Sequence, residues 1–380
     1  PIHLSEKHLH IVSFDIPFPA DYGGVIDVFY KVKALHALGI KVHLHCFAYG
    51  REATDELKKY CVEVYYYPRN MNKTLLIHPL PFIVVSRHHD ALLERLLQDR
   101  HPILFEGLHC GYYLDHHRLK DRPKFLRTHN VEHEYYQALA AQEHSWLKRI
   151  YLRKEAKKLE QFERQCALPR ALFAISPKDL EHFKKWNEKV TYIPPFHSNE
   201  ELAPNGGKKP FALYHGSLSV MENERAAEFL VDQVFNDSEK SLKVFGKGAS
   251  PRLVKKIART KNIELIDGDA VLLQGLVQEA QVNILPTFQA TGMKLKLLFS
   301  LFNGGHCLVN EPMVEGTGLE TCCEVTADAS GMKASLEKLW NTPYSSSAYE
   351  ARKEILQRDF SNAKQARKMV NKIFPNNNHH

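Results

Sequence analysis

Twice along this chain, strand-like runs alternate with helical runs, and a stretch rich in proline and glycine separates the two series. The first series holds His8–Phe14, a helical run Val28–Leu38 closed by Gly39, then strand runs at Lys41–Phe47 and Cys61–Tyr67. It continues with an amphipathic helix Asp90–Leu97 and short strands at Pro102–Phe105, Phe125–Thr128 and Ala171–Ser176. The second series runs Phe211–His215, Glu224–Val234, Ser241–Phe245, Leu253–Thr260, Ile263–Ile266 and Val282–Leu285. Strands separated by helices cannot pair through tight hairpins. They pair in parallel through crossovers, with helices on both faces of the sheet. The expectation is therefore two doubly wound parallel-sheet α/β domains. Their bounds are read as 1–190 and 211–347, with a linker at 191–210. A final helical run, Ala348–Ile373, within 348–375, would return to brace the first domain.

A chain of 380 residues is long enough for two domains, each with its own core. No run of about 18 apolar residues suggests a membrane span, and no signal peptide is visible at the N-terminus. Seven cysteines, an odd number without a C-x-x-C pair, fit free thiols in a reducing cytoplasm. The net charge of +7 is uneven: residues 1–190 carry 29 basic against 23 acidic groups, +6 of the total. Without a basic arm or a nucleic-acid module, the charge points away from nucleic acid. It allows peripheral contact with an anionic membrane, for which the basic, one-sided helical run Trp146–Cys166 is the candidate. Its apolar stripe is Leu147, Ile150, Leu152, Leu159 and Phe162.

Chemistry is expected where strands end in glycine, because open α/β sheets bind ligands at the carboxyl ends of their strands. Gly23 and Gly24 follow the first strand and open a helix. There, backbone N–H groups approach an anion closely. In the second half, Gly216 and Ser217 follow one strand and Lys247 follows another. Thr291, Gly292 and Met293 open a helix that carries Lys296. Backbone amides with Lys247 and Lys296 suit a diphosphate.

Several segments together resemble a known family: the YGG turn, FLRTHNVEHEYY, FERQCALPRALFAISPKDLEHF, ALYHGSLSVMENERAAEFL, VFGKG and ILPTFQATGMKLKLLFSLFNGGHCLVN. Their order and spacing resemble retaining glycosyltransferases of the GT-B fold, close to glycosyltransferase family four. The resemblance implies two Rossmann-like domains facing across a cleft, the first for the acceptor and the second for a nucleoside-diphosphate sugar. It implies transfer of a hexose, with retention and without an essential metal or cofactor, to a glycan or lipid-linked saccharide. Polysaccharide biosynthesis is the setting this suggests. His129 falls where the family has an active-site histidine near the donor sugar, and Gly23, Gly24, Thr291, Gly292, Met293, Lys247 and Lys296 fall around sugar and diphosphate. The family's two glutamates fall on Thr291 and Phe299, and Phe299 cannot accept a ribose hydrogen bond. Glu222 replaces a residue that is often basic. A nucleotide-binding relative with impaired catalysis is therefore the alternative.

Two metal patterns compete. His129-Asn130-Val131-Glu132-His133 matches H-x-x-E-H, which on a helix brings two imidazoles to one zinc, with the glutamate as base. Asp267-Gly268-Asp269 matches both a metal-binding D-x-D and an ordinary turn between strands. The turn is the simpler expectation.

Overall fold

The computed structural model describes residues 6–289 and 294–375. It divides into two compact units, one of residues through Ser198 together with those from Asp359 onward, the other Asn199–Arg358.

The first unit is a seven-stranded sheet in the order β3-β2-β1-β4-β5-β6-β7. Its strands are β1 (His8–Ser13), β2 (Lys41–Ala48), β3 (Glu63–Pro68), β4 (Ile103–Glu106), β5 (Lys124–Arg127), β6 (Ala171–Ala174) and β7 (Val190–Tyr192). Every pairing is parallel, with β1 between β2 and β4. The second unit repeats the plan as β10-β9-β8-β11-β12-β13. Here the strands are β8 (Lys209–His215), β9 (Ser241–Phe245), β10 (Ile263–Ile266), β11 (Ala280–Leu285), β12 (His306–Asn310) and β13 (Glu324–Thr326). Strand order reverses direction beside β1 in one sheet and beside β8 in the other. At each reversal the flanking connections run to opposite faces and leave a crevice at the carboxyl edge.

Local chemistry sets the helix ends. Ser176 and Ser250 cap their helices through side-chain oxygens that accept from Asp179 N and Leu253 N, with Pro177 and Pro251 just inside. Gly39 takes φ +79° after the helix Gly23–Ala37, a left-handed turn that glycine makes without a Cβ clash. Central strands β1, β4, β5 and β6 are buried along nearly their whole length, as parallel strands covered on both faces must be.

Three expectations change. The segment 191–197, read as linker, belongs to the first unit. Ile193, Phe196 and His197 are buried there, and Arg127 donates to the carbonyls of Ile193 and Pro194. Proline and glycine content marked a break, but it could not show that the first prolines are pinned by a buried arginine. The run 348–373, read as one helix, is two: Ser346–Asp359 and Asn362–Ile373, the second capped by Ser361. Arg352 on the former donates to the carbonyls of Gly304, Gly305 and Cys322 in the second unit. The latter buries Ala366, Met369, Val370 and Ile373 in the core of the first unit. Asp267-Gly268-Asp269 joins a strand to a helix, not two strands. Asp269 caps the helix Ala270–Glu279 by accepting from Leu272 N.

Candidate functional site

In the first unit, the carboxyl edge beside β1 gathers Phe14 from the end of β1, Gly107 and His109 after β4, and His129 after β5. Gly23 and Gly24, at the start of the first helix, stand on the same edge. Gly24 has no room for a side chain: a Cβ there would sit 2.6 Å from Phe14 Cζ. The Phe14 ring lies against both imidazoles, with centroids 5.4 Å from His109 and 5.2 Å from His129.

His129 is 4% exposed and rests on a buried lattice of charges. Its Nε2 lies 2.8 Å from Glu106 Oε2. Lys31 Nζ donates to Glu106 Oε1 at 2.5 Å and to Asp27 Oδ2 at 2.9 Å. Arg127 Nη2 and Nε donate to Asp27 at 2.8 and 3.1 Å. The side chains of Asp27, Lys31, Glu106 and Arg127 are all fully buried. Two carboxylates meet one lysine and one arginine, so the charges balance before His129 is counted. Burial opposes ionisation of Asp27, but Arg127 and Lys31 outweigh it and hold the carboxyl well below its usual range. Lys31 likewise offsets burial at Glu106, helped by the hydrogen bond from His129. A carboxylate only accepts, so Nε2 of His129 carries a hydrogen, and in the neutral form of the ring the lone pair lies on Nδ1. That Nδ1 is buried and has no hydrogen-bond partner.

His133 does not join His129. It sits in the helix Glu132–Gln142 and pairs through Nδ1 with Glu163 Oε2 at 3.0 Å. His182 and the Trp186 indole also hydrogen-bond Glu163, and Lys185 lies 3.1 Å from it. The zinc-hydrolase reading is thus corrected: His129 ends a strand connection, the helix begins only at Glu132, and the two rings face different carboxylates. Two groups of metal-ligating atoms do come within 4.8 Å, Asp27–Glu106–His129 and His133–Glu163–His182. In each, protein cations and N–H donors already meet the carboxylates, so neither donor set calls for a metal.

In the second unit, Gly216 follows β8 and leaves little space for a side chain. A Cβ there would lie 3.0 Å from both Asn223 Cγ and Lys296 Nζ. Gly246 is tighter still, with its Cβ position 2.0 Å from the Gly216 carbonyl. Lys296 Nζ donates to Asn223 Oδ1 at 2.5 Å and lies over the Tyr214 ring. Burial and the neighbouring Lys294 charge push its pKa down to about 8, against the pull of Glu222. Lys294, Lys296 and Arg225 act electrostatically on Glu222, whose carboxyl burial pushes upward. The edge beside β8 is therefore cationic around one acid. Ser217 Oγ bonds Ser219 Oγ at 2.9 Å on the same loop.

Lys247 is not part of this group. Its side chain is largely exposed and reaches 3.9 Å from Asp267, on the far side of β9. The residue follows a strand as expected, but its side chain points along the rim. Thr291, Gly292 and Met293 lie outside the described residues. Phe299 lies edge-on to His215, whose Nε2 is 2.9 Å from Ser300 Oγ. A carboxylate at position 299 would meet that buried imidazole. Sequence reading missed Asp27, Lys31, Glu106, Arg127 and His109. The i,i+4 pair Asp27–Lys31 inside an apolar helical run was the available signal, since unpaired charges are not buried.

No family model matches the chain. A protein of Klebsiella pneumoniae described as an uncharacterized 44.6 kDa protein in the cps region is 26% identical over 337 residues, which are 81% of this chain and 84% of its own. Among solved structures, WaaG, a glycosyltransferase involved in lipopolysaccharide biosynthesis, aligns with TM-score 0.61 and 15% identity over 97% of this chain and all of its own. TarM of S. aureus, in complex with Fondaparinux, alpha-GlcNAc-glycerol and UDP, aligns with TM-score 0.66 and 10% identity over 97% of this chain and all of its own. The trehalose 6-phosphate synthase of Burkholderia multivorans gives 0.59 and 12% over 97% and 96%. With two six- and seven-stranded parallel sheets in this order, the chain has the GT-B fold, built from two Rossmann-like units.

Proposed function

We propose that this protein is a glycosyltransferase that moves a hexose from a nucleoside-diphosphate sugar to a hydroxyl of a glycan or lipid-linked saccharide. The observation that carries the reading is His129, held by a buried carboxylate on one nitrogen and left with an unpaired, buried Nδ1 at the crevice beside β1. A ring so fixed hydrogen-bonds a sugar hydroxyl at no cost in reorganisation. The cationic edge of the second unit, with Lys296 against Gly216, suits the diphosphate. As the sugar's C1–O bond breaks, the electron pair leaves on the nucleoside diphosphate, and Lys296 and Lys294 stabilise that charge. The acceptor oxygen forms the new bond to C1 and gives up its proton to an oxygen of the departing diphosphate. Retention is what the family resemblance implies. No metal enters this reading, because lysines serve the phosphates.

The protein also works, on this proposal, at the cytoplasmic face of an anionic membrane. The helix Trp146–Phe162 exposes Trp146 (66%), Leu147 (61%) and Ile150 next to Lys148, Arg153, Lys154 and Lys157. Apolar side chains beside a basic stripe fit a lipid interface. Co-sedimentation should be seen with vesicles of phosphatidylglycerol and phosphatidylcholine and not with phosphatidylcholine alone. Equal recovery with both, or none with either, removes the membrane role.

The function itself is tested by thermal unfolding with UDP, GDP and ADP, each alone and as a hexose conjugate. Ligand at about 100 times its dissociation constant adds roughly 2.7 kcal/mol of stability. A shift with one base is expected. A shift without sugar transfer or hydrolysis would favour the impaired relative, for which Phe299 and Glu222 speak. Absence of any shift would sink both.

A further inference from the structure

A second imidazole at the same crevice has no assigned role. His109 stands two residues after Gly107, whose φ of +73° turns the chain off β4. The Cβ that Gly107 lacks would come within 2.8 Å of His109 Nδ1 and 3.6 Å of His129 Cδ2, so the two rings share one small hollow. His109 Nδ1 is buried without a hydrogen-bond partner, and so is Glu132 Oε1, 3.7 Å away. Among the eight described side-chain atoms in that condition, these two and His129 Nδ1 belong to this crevice. The Glu132 side chain is 3% exposed, whereas that of His109 is 21% exposed. The sealed side of the imidazole therefore faces the carboxyl, and its open side, Nε2, faces outward beside Phe14.

We propose that Glu132, as a carboxylic acid, donates to His109 Nδ1 and so fixes the ring with its hydrogen on Nε2, making His109 a hydrogen-bond donor to a hexose oxygen. Glu132 is then a positioning residue. The two rings are complementary: His129 offers an acceptor at Nδ1 and His109 offers a donor at Nε2, which suits a group that both gives and takes, as hydroxyls do. A rotation of under an ångström closes 3.7 Å to a hydrogen bond. Burial keeps Glu132 protonated and pushes its pKa up to about 8, against a hydrogen bond from Asn130 and the charge of Arg87. Burial, and then the Arg87 charge, hold His109 well below the usual histidine range, so the ring is neutral.

The other titratable groups around the pair are Arg87, Tyr136, Glu163, Glu106 and Asp179. Arg87 titrates at about 10, and burial pushes Tyr136 above its usual range. Glu163 is held low by its hydrogen bonds from His133, His182 and Trp186 despite burial, and Glu106 is held low by Lys31. Asp179, on the helix Pro177–Phe183, is raised by burial from an ordinary value near 3.8. The switch with pH is then that of Glu132. Once ionised, it accepts from Nδ1, the hydrogen leaves Nε2, and the outward donor is lost.

This inference rests on the proposed function, and its test separates the two. Dissociation constants are measured for UDP, GDP and ADP and for UDP-glucose, GDP-mannose and ADP-glucose. Wild type, His109→Ala and Glu132→Gln are compared at about pH 6.5 and about pH 9. The ratio of bare nucleotide to nucleotide sugar isolates the hexose, because Lys296 and the phosphates affect both ligands alike. Expected is a ratio about five- to tenfold smaller in His109→Ala and in wild type at the higher pH. Glu132→Gln should hold it constant, since an amide N–H donates at either pH. If the ratio is constant throughout but the KM for octyl glucoside as acceptor rises in His109→Ala, the hexose is the acceptor's. If neither moves, or if Glu132→Gln keeps the wild-type pH dependence, the inference is overturned while the glycosyltransferase reading stands. No binding of any of the six ligands to wild type removes both.

Discussion

At the scale of single residues, His129 is the clearest case of position serving chemistry. Glu106 holds it, Lys31 and Asp27 hold Glu106, and Arg127 closes the lattice. A ring pinned in this way cannot turn to satisfy its own Nδ1, and on the proposed function that nitrogen meets the sugar. His129→Ala should lower turnover by about 10²-fold or more and leave nucleotide affinity nearly unchanged. Steady-state kinetics beside nucleotide titration checks this, and equal turnover would remove His129 from the site. The histidine was legible in the sequence through the FLRTHNVEHEYY segment and the family resemblance it carries. Its supports were not, because Glu106 and Arg127 lie on separate strands whose adjacency only the sheet order defines.

Among the elements, β1 and β2 carry a ladder of histidines on one face. His10 Nδ1 meets His45 Nε2 at 2.9 Å, His10 Nε2 meets Asp99 at 2.9 Å, and His45 Nδ1 meets the Tyr67 hydroxyl at 2.8 Å. Burial pushes His10 down to about 4, despite Asp99, and pushes His45 well below 6.5. Both rings fold neutral and titrate as ordinary histidines when unfolded. The unfolded chain then binds more protons as pH falls below about 6.5, and stability drops until the folded rings also protonate. His10 alone accounts for on the order of 3 kcal/mol between pH 6.5 and pH 4. Denaturant unfolding at pH 7 and pH 4.5 should show this loss, and His10→Gln should flatten the slope. An unchanged slope in that variant would assign the acid sensitivity elsewhere. Alternating histidines in HLHIVSF and KVHLHCF are visible in the sequence, but they read there as strand polarity, since pairing of the ladder needs the β1–β2 register.

For the whole molecule, the chain returns at its end to the unit where it began. The helix Asn362–Ile373 buries Ala366, Met369, Val370 and Ile373 in the first unit's core. Four buried apolar side chains contribute several kcal/mol at roughly 1.5–3 kcal/mol for each large one. Truncation after Asp359 should therefore lower the melting temperature of the first unit and leave the unfolding of the second near its original place. Calorimetry resolves the two transitions, and an unshifted first transition would show that the helix is dispensable. The sequence showed a helical run here but not its break at Phe360-Ser361, because both halves carry the same kind of periodicity. Only the partners differ: Arg352 is met by carbonyls of the second unit and Met369 by the apolar core of the first.

The sequence by itself determined the fold class, since strand–helix alternation leaves parallel sheets as the solution and glycines mark the strand ends where ligands bind. It also marked Gly24 and Gly216 as candidates through their strand-to-turn signatures and His129 through the family resemblance. Tertiary structure alone decided which charges share a buried lattice, that His129 and His133 face different carboxylates, and that Lys247 leans toward Asp267 while Lys296 turns to Gly216. The reason is physical. Backbone periodicity is a local property, whereas burial, ion pairing and the protonation of a carboxyl such as Glu132 depend on residues that only the sheet order brings together.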